Sequence, residues 1–216
     1  MTHDRDVFIN CPFDQAYRPL LRALLFAIHD CGFQARSALE VEDSGEIRVQ
    51  KILRIIGESP FGIHDISRVT PDRSTKLPRF NMPLELGLFL GAKAFGSDKQ
   101  QQKRCLILDR DPYRYQKYCS DIAGQDVRAH GGKQHLAIEA VRNWLSTTAP
   151  AKNTVIPSGS VITHRYEAYQ LTLPVQCERF QLDRERLTFG DDVLLVLAWL
   201  KENPGLQTEN VSEVPR

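Results

Sequence analysis

A chain of 216 residues, 42% hydrophobic and 25% charged, has an ordinary globular composition and is long enough to bury a full core in one or two domains, which excludes wholesale disorder. A formal net charge of +1 with no long basic run argues against a nucleic-acid partner, and no apolar stretch approaches the roughly 18 residues that span a bilayer. The opening MTHDRDVFIN lacks the apolar core of a secretory leader, and five scattered cysteines without a CxxC pair give neither a disulfide framework nor a zinc site, so a reducing cytoplasmic setting is expected.

Short apolar runs alternate with helical periods, the pattern of a parallel sheet covered by helices. Val7-Phe8-Ile9 reads as a first buried strand ending at Asn10-Cys11-Pro12. A helix follows over 16–31, with Leu20, Leu21, Leu24, Leu25 and Ile28 on one face and Gly32 at a left-handed cap. The second strand is expected over 33–38. A second helix starts near Ser44 or Glu46, with Val49, Ile52, Leu53 and Ile56 as its apolar stripe. The third strand runs over 61–66 into a long polar loop, and long loops inside compact domains are often functional. Asn81 is expected to cap a third helix with Pro83 in its first turn. Residues 105–109 form a fourth strand, and a short fifth lies around 127–130. An amphipathic helix from Lys133 ends near Trp144.

Past Pro150 the character changes. Residues 151–159 read as a linker, followed by a helix with Ile162, Tyr166, Tyr169 and Leu173 on one face, which Pro174 kinks or stops. A last helix begins at Thr188-Phe189-Gly190-Asp191 and carries Val193, Leu194, Leu197 and Leu200 on its sticky face. The expected organisation is an α/β domain over 1–150, a helical extension over 151–205 and a disordered tail over 206–216. The expected fold is flavodoxin-like, a doubly wound parallel five-stranded sheet in the order 2-1-3-4-5.

Ligands of an open parallel sheet bind outside the carboxyl ends of its strands. There the pattern delivers Asn10, Phe13, Arg36, Asp65, Ser67, Arg68, Asp109 and His130, while Glu85 arrives in the first turn of the third helix. A carboxylate in a first turn is held as the anion by the helix dipole, which suits a nucleophile or a partner for a cationic sugar, and equally suits an acid that only stabilises its helix. Asp65, closing a strand, is a second acid for the same crevice or simply a cap for local amides. His64 alternates away from it and reads as packing. Arg36, Arg68 and Arg79 fall in loops on this face, where their forks match a phosphate or merely meet solvent. There is no GxGxxG and no Walker loop, which removes the ordinary dehydrogenase and P-loop readings. A Cys11–His130 nucleophile and base has no local support beside the view of Cys11 as a small buried hydrophobe.

Three segments carry a likeness: Asp6-Val7-Phe8-Ile9-Asn10, ESPFGIHDIS over 58–67, and NMPLELGLFLGAK over 81–93. Together they resemble the nucleoside 2-deoxyribosyltransferase-like group and, through the same layout, TIR domains that cleave NAD. The resemblance covers about 6–145. It implies a nucleophile at Glu85, a base-recognising acid at Asp65, Asn81 near the sugar, and Phe8 or Phe13 in the wall over the base. Two departures stand out. The segment between Asp65 and Asn81 is long and basic, and the serine-tryptophan pair that precedes the glutamate in TIR domains is absent. The activity this resemblance implies is that of an N-glycosidase or ribosyltransferase acting on a nucleotide, either NAD or a nucleoside monophosphate, with no cofactor. Other copies of the chain are expected as partners because the faces Ile162-Tyr166-Tyr169-Leu173 and Val193-Leu194-Leu197-Leu200 exceed what one short hairpin can bury, and such faces are covered by the main domain or by another copy. The alternatives are a nucleotide-sensing module and a non-catalytic TIR-like scaffold.

Overall fold

The structure is a computed structural model describing residues 3–69, 71, 77–148 and 155–205. The expected tail, part of the linker and part of the long loop therefore lie outside the described residues. Five parallel strands, β1 (Asp6–Asn10), β2 (Gln34–Arg36), β3 (Phe61–Asp65), β4 (Arg104–Asp109) and β5 (Val127–Ala129), lie in the order β2-β1-β3-β4-β5. This is the flavodoxin-like, doubly wound arrangement. Every residue of β1 and β3 is buried, as expected of strands covered on both faces.

The connecting helices are α1 (Arg18–Asp30), α2 (Arg48–Glu58), α3 (Asn81–Phe95), the single turn α4 (Asp98–Gln101) and α5 (Gln134–Thr148). Alternation along the strands sorts the core. Val7, Ile9, Phe61 and Ile63 face α1 and α5, whereas Phe8 packs with Ile52, Ile55, Ile56 and Phe89 of α2 and α3. Gly32 ends α1 with φ +80°, its N–H donating to His29 O at 2.9 Å, the left-handed cap expected there. Gly62 is required for packing, since a Cβ there would stand 2.7 Å from the Phe89 ring.

Some details differ from the sequence pattern. On α2 the buried residues are Lys51, Ile52, Ile55 and Ile56, while Val49 and Leu53 are exposed. Ile52 and Ile56 stand where expected, and the stripe is turned about the helix axis so that Lys51 and Ile55 replace Val49 and Leu53, because apolar side chains stand on two faces and packing selects one. Helix α5 continues to Thr148 instead of stopping near Trp144. Phe8 is fully buried beneath α2 and α3, so it forms no wall over a ligand.

The C-terminal helices α6 (Gly159–Arg179) and α7 (Phe189–Glu202) dock on α1 and α5. Pro174 does not stop α6, since Leu173 and Cys177 on either side of it are both buried and hold the helix through the missing N–H. Phe26 of α1 sits among Tyr166, Tyr169 and Trp199, with ring centroids 5.4 to 5.6 Å away. Asp192, 1% exposed, accepts from Arg22 Nε at 2.8 Å and Arg18 Nη2 at 3.2 Å. Thr188 and Asp191 close a reciprocal capping box at the start of α7. The stripe Ile162-Tyr166-Tyr169-Leu173 is thus covered by the chain's own helices, and α7 buries Leu195, Val196 and Trp199 while Leu194 and Leu197 stay about half exposed. The α6 stripe expected to drive self-association is therefore already covered, while Leu171 and Val175 elsewhere on that helix are exposed. Among the described residues no helix is long and apolar enough to cross a membrane.

Candidate functional site

A cleft of about 280 Å³ opens at the carboxyl ends of the strands, on the α2–α3 side of the sheet. Its floor and one wall come from the chain leaving β1, Asn10 to Asp14. The opposite side is Arg79, Asn81, Met82 and Glu85, and Leu39 and Arg48 close the third. Asn10 ties the two sides together, donating through Nδ2 to Met82 O at 2.8 Å and lying 3.1 Å from His64 Nδ1. His64 itself is fully buried against Phe89 and Phe8. Burial, with a smaller push from Lys103, lowers its pKa to about 3, so it is neutral packing as the alternation predicts.

Glu85 is 6% exposed and points into this cleft. It is not in the first turn of α3. Phe80 is the cap residue and Asn81 the first helical residue, without a side-chain cap bond. Leu84 N–H already donates to Phe80 O at 3.0 Å, so Glu85 lies beyond the free amides and the dipole does little for it. Its carboxyl makes no hydrogen bond or ion pair with any described residue. Burial pushes its pKa up to about 7, and the Arg48 guanidinium opposes that rise. A carboxyl that is half ionised near neutral pH, in an open cleft, can work as nucleophile, acid or base.

Asp65 has the opposite situation. Strand alternation turns it to the α1–α5 face with Phe61 and Ile63, and it does not line the cleft. Fully buried, it accepts from the Tyr17 hydroxyl at a short distance and from Ser67 N–H at 2.8 Å. His130 Nε2 lies 3.1 Å from Oδ2, close enough for an ion pair, although the ring N–H is not aligned for a hydrogen bond. Asp65 therefore ties the start of α1, the end of β3 and the loop after β5 together. Asp109, equally buried, does the same for β4, accepting from Arg114 Nε at 3.1 Å and Tyr118 OH at 3.0 Å. Cys11 lines the cleft, its thiol held protonated by burial and by the charges of Asp65, Glu85 and Asp14.

The arginines separate in the same way. Arg36 is locked among Asp6 at 2.5 Å, Glu40 at 2.7 Å and Glu58 at 3.1 Å, away from the cleft. Arg68 forks onto Asp14 at 2.5 and 3.1 Å. Burial would raise the Asp14 carboxyl, but these bonds and the Arg68 charge outweigh it and hold Asp14 below its usual range. Ser67 is occupied through its backbone with Asp65 and Arg114, outside the cleft. Of the residues singled out in the sequence, Asn10, Phe13, Arg79, Asn81 and Glu85 meet in one place, and Asp65, Arg36, Ser67 and Arg68 do not. Sequence reasoning missed Arg48, the first residue of α2. The available signal was topological, because each helix of a doubly wound fold begins on the ligand side of the sheet. It also missed Tyr17, whose hydroxyl only the fold brings to Asp65.

The fold and cleft define a doubly wound α/β protein in which one buried acid at the cleft, Glu85, has no hydrogen bond or ion pair among the described residues. Comparison of the chain with protein-family models, with curated proteins and with solved structures finds no match in any of the three.

Proposed function

We propose that the protein is an N-glycosidase or ribosyltransferase that cleaves the N-glycosidic bond of a nucleotide, with Glu85 as nucleophile. The observation that carries this reading is a glutamate almost wholly withdrawn from water, without a hydrogen bond or ion pair among the described residues, facing an open cleft. A carboxylate withdrawn from water acts more strongly on a developing oxocarbenium sugar than a solvated one. An oxygen of ionised Glu85 attacks the anomeric carbon, the base departs with the bonding electron pair, and a glycosyl ester forms. Water or a second base then attacks the same carbon and releases Glu85. Phe13 and Met82 offer apolar surface to the base, and Asn10 and Asn81 flank the sugar.

The surroundings of Asp65 do not support its use as the acid that protonates a leaving base, since its oxygens are already taken by Tyr17 and Ser67. A base that leaves without a proton, as nicotinamide does from its pyridinium, is the simpler substrate for this site. The same reading places the protein in the cytoplasm, where nucleotides are abundant, and has copies associate through the half-exposed Leu194 and Leu197 of α7.

The test is base release from NAD and from purine and pyrimidine nucleoside monophosphates, by wild type and by Glu85→Gln. The substitution is expected to cost at least about 1,000-fold in turnover, the scale on which a covalent nucleophile acts. Turnover unchanged by Glu85→Gln would sink the assignment and leave a nucleotide-sensing module as the better account.

A further inference from the structure

We infer that Arg48 is the anion anchor of the cleft: it holds the phosphoryl group of the nucleotide beside Glu85, and it, rather than Arg36 or Arg68, selects a phosphorylated ligand. The inference rests on the nucleotide reading above and gives its recognition a residue.

The argument is one of charge already spoken for. Among the described residues, Arg36, Arg48, Arg68 and Arg79 stand near the strand ends on this side. Arg36 is surrounded by three carboxylates, and Arg68 is bidentate on Asp14. Arg79 lines the cleft, but it too leans on Asp14, at 3.5 Å. Arg48 lines the cleft and makes no hydrogen bond or ion pair with any described residue. Its electrostatic partner is Glu85, and burial keeps that carboxyl about half protonated near pH 7. The charged groups facing Glu85 are Arg48 from the start of α2, Arg79 from the loop before α3, and Asp14 from the loop after β1, beside the protonated Cys11 thiol. Arg68 is bidentate on Asp14 and Arg79 stands 3.5 Å from it, so among the described residues Arg48 is the cleft arginine with no carboxylate within ion-pair distance. An exposed guanidinium fork beside an open cleft is matched by the oxygens of a phosphoryl group.

Two effects should result. The ligand's phosphate should supply most of the binding through Arg48. It should also cancel the charge that favours ionised Glu85, so that Glu85 takes up a fraction of a proton on binding near pH 7. Both are read by titration calorimetry on the full chain, using ribose 5-phosphate with ribose as the uncharged control, in two buffers of different ionisation enthalpy. In the wild type, ribose 5-phosphate should bind more tightly than ribose, with a heat that depends on the buffer. Arg48→Gln should weaken ribose 5-phosphate at least about 10-fold and leave ribose unchanged, the cost of losing a charge-assisted contact. Arg68→Gln should stay within about 3-fold of wild type, because its guanidinium serves Asp14. In Glu85→Gln the proton uptake should vanish, leaving only the proton that the ligand's phosphate monoanion gives up, while binding remains.

Wild type that holds ribose 5-phosphate no better than ribose overturns the inference. So does Arg48→Gln that binds as wild type or loses both sugars equally, and so does a buffer dependence that is the same in wild type and in Glu85→Gln. These outcomes are separable from the enzymatic reading. Phosphate selection by Arg48 without base release leaves the anchor standing and the N-glycosidase gone, whereas Glu85-dependent base release with no role for Arg48 does the reverse.

Discussion

Asp65 and Glu85 are both nearly removed from water at the same end of the sheet, yet their settings are opposite. Asp65, on the α1–α5 face, accepts from Tyr17 and from the Ser67 amide and has His130 beside it. Glu85, on the α2–α3 face, has no partner among the described residues and stands in a cleft. Burial with partners makes a clamp, because the donors replace the water that the carboxylate gives up. Burial without partners leaves the desolvation uncompensated, and the group answers by moving its pKa toward neutrality, where proton transfer and nucleophilic attack operate. The contrast teaches that burial of an acid says little about its role until its hydrogen bonds are counted.

The largest effect that would sharpen this comparison is on stability at Asp65. Asp65→Ala leaves the Tyr17 hydroxyl and the Ser67 amide buried without an acceptor, and it should cost roughly 3 kcal/mol in urea unfolding. A cost below about 1 kcal/mol would show that the carboxylate clamps nothing. If Asp65 is structural, loss of activity in this variant should track loss of folded protein.

Next comes the pH dependence at Glu85. Its folded pKa, about 7, lies above the ordinary 4.5, so the folded state favours the protonated form. The stability this confers is fully present below the ordinary value and is lost as pH rises through about 7. Glu85→Gln, neutral at every pH, should match wild type near pH 4 and exceed it at pH 8 by roughly 2 kcal/mol, with the openness of the cleft keeping the gain modest. Denaturation midpoints of both proteins across that range check it. A wild-type curve parallel to that of Glu85→Gln would mean that Glu85 has a partner after all, and the contrast with Asp65 would collapse.

The smallest effect is at Arg68. Its ion pair with Asp14 is partly exposed, so Arg68→Gln should cost about 0.5 kcal/mol, less at high salt. A loss of several kcal/mol would show that the loop after β1 depends on this pair and that the cleft wall is less self-sufficient than the Asn10–Met82 bond makes it.

Much of this was legible before folding. The all-buried runs Val7-Phe8-Ile9 and 61–65, the Gly32 cap and the Thr188–Asp191 helix start are local signals, set by periodicity and by side chains that bond their own backbone, and each stands where the pattern puts it. So does the strand order, because right-handed crossovers leave few ways to arrange five parallel strands. Glu85 was legible as a candidate for the same reason, lying near the start of a helix that follows a strand end.

Only the tertiary structure decided what surrounds these residues. The sequence offered Asp65, Arg36, Arg68 and Glu85 as comparable charges on one face. The fold gave the first three to Tyr17, Asp6, Glu40, Glu58 and Asp14, and left Glu85 with Arg48. It likewise turned the Ile162-Tyr166-Tyr169-Leu173 stripe inward against Phe26, where helical spacing alone called for a cover without saying whether the main domain or a second copy supplies it. Backbone periodicity is a short-range property that a sequence carries in itself. The partner of a charge or of an apolar face is a long-range one, fixed only when segments as far apart as Arg22 and Asp192 are brought within 2.8 Å.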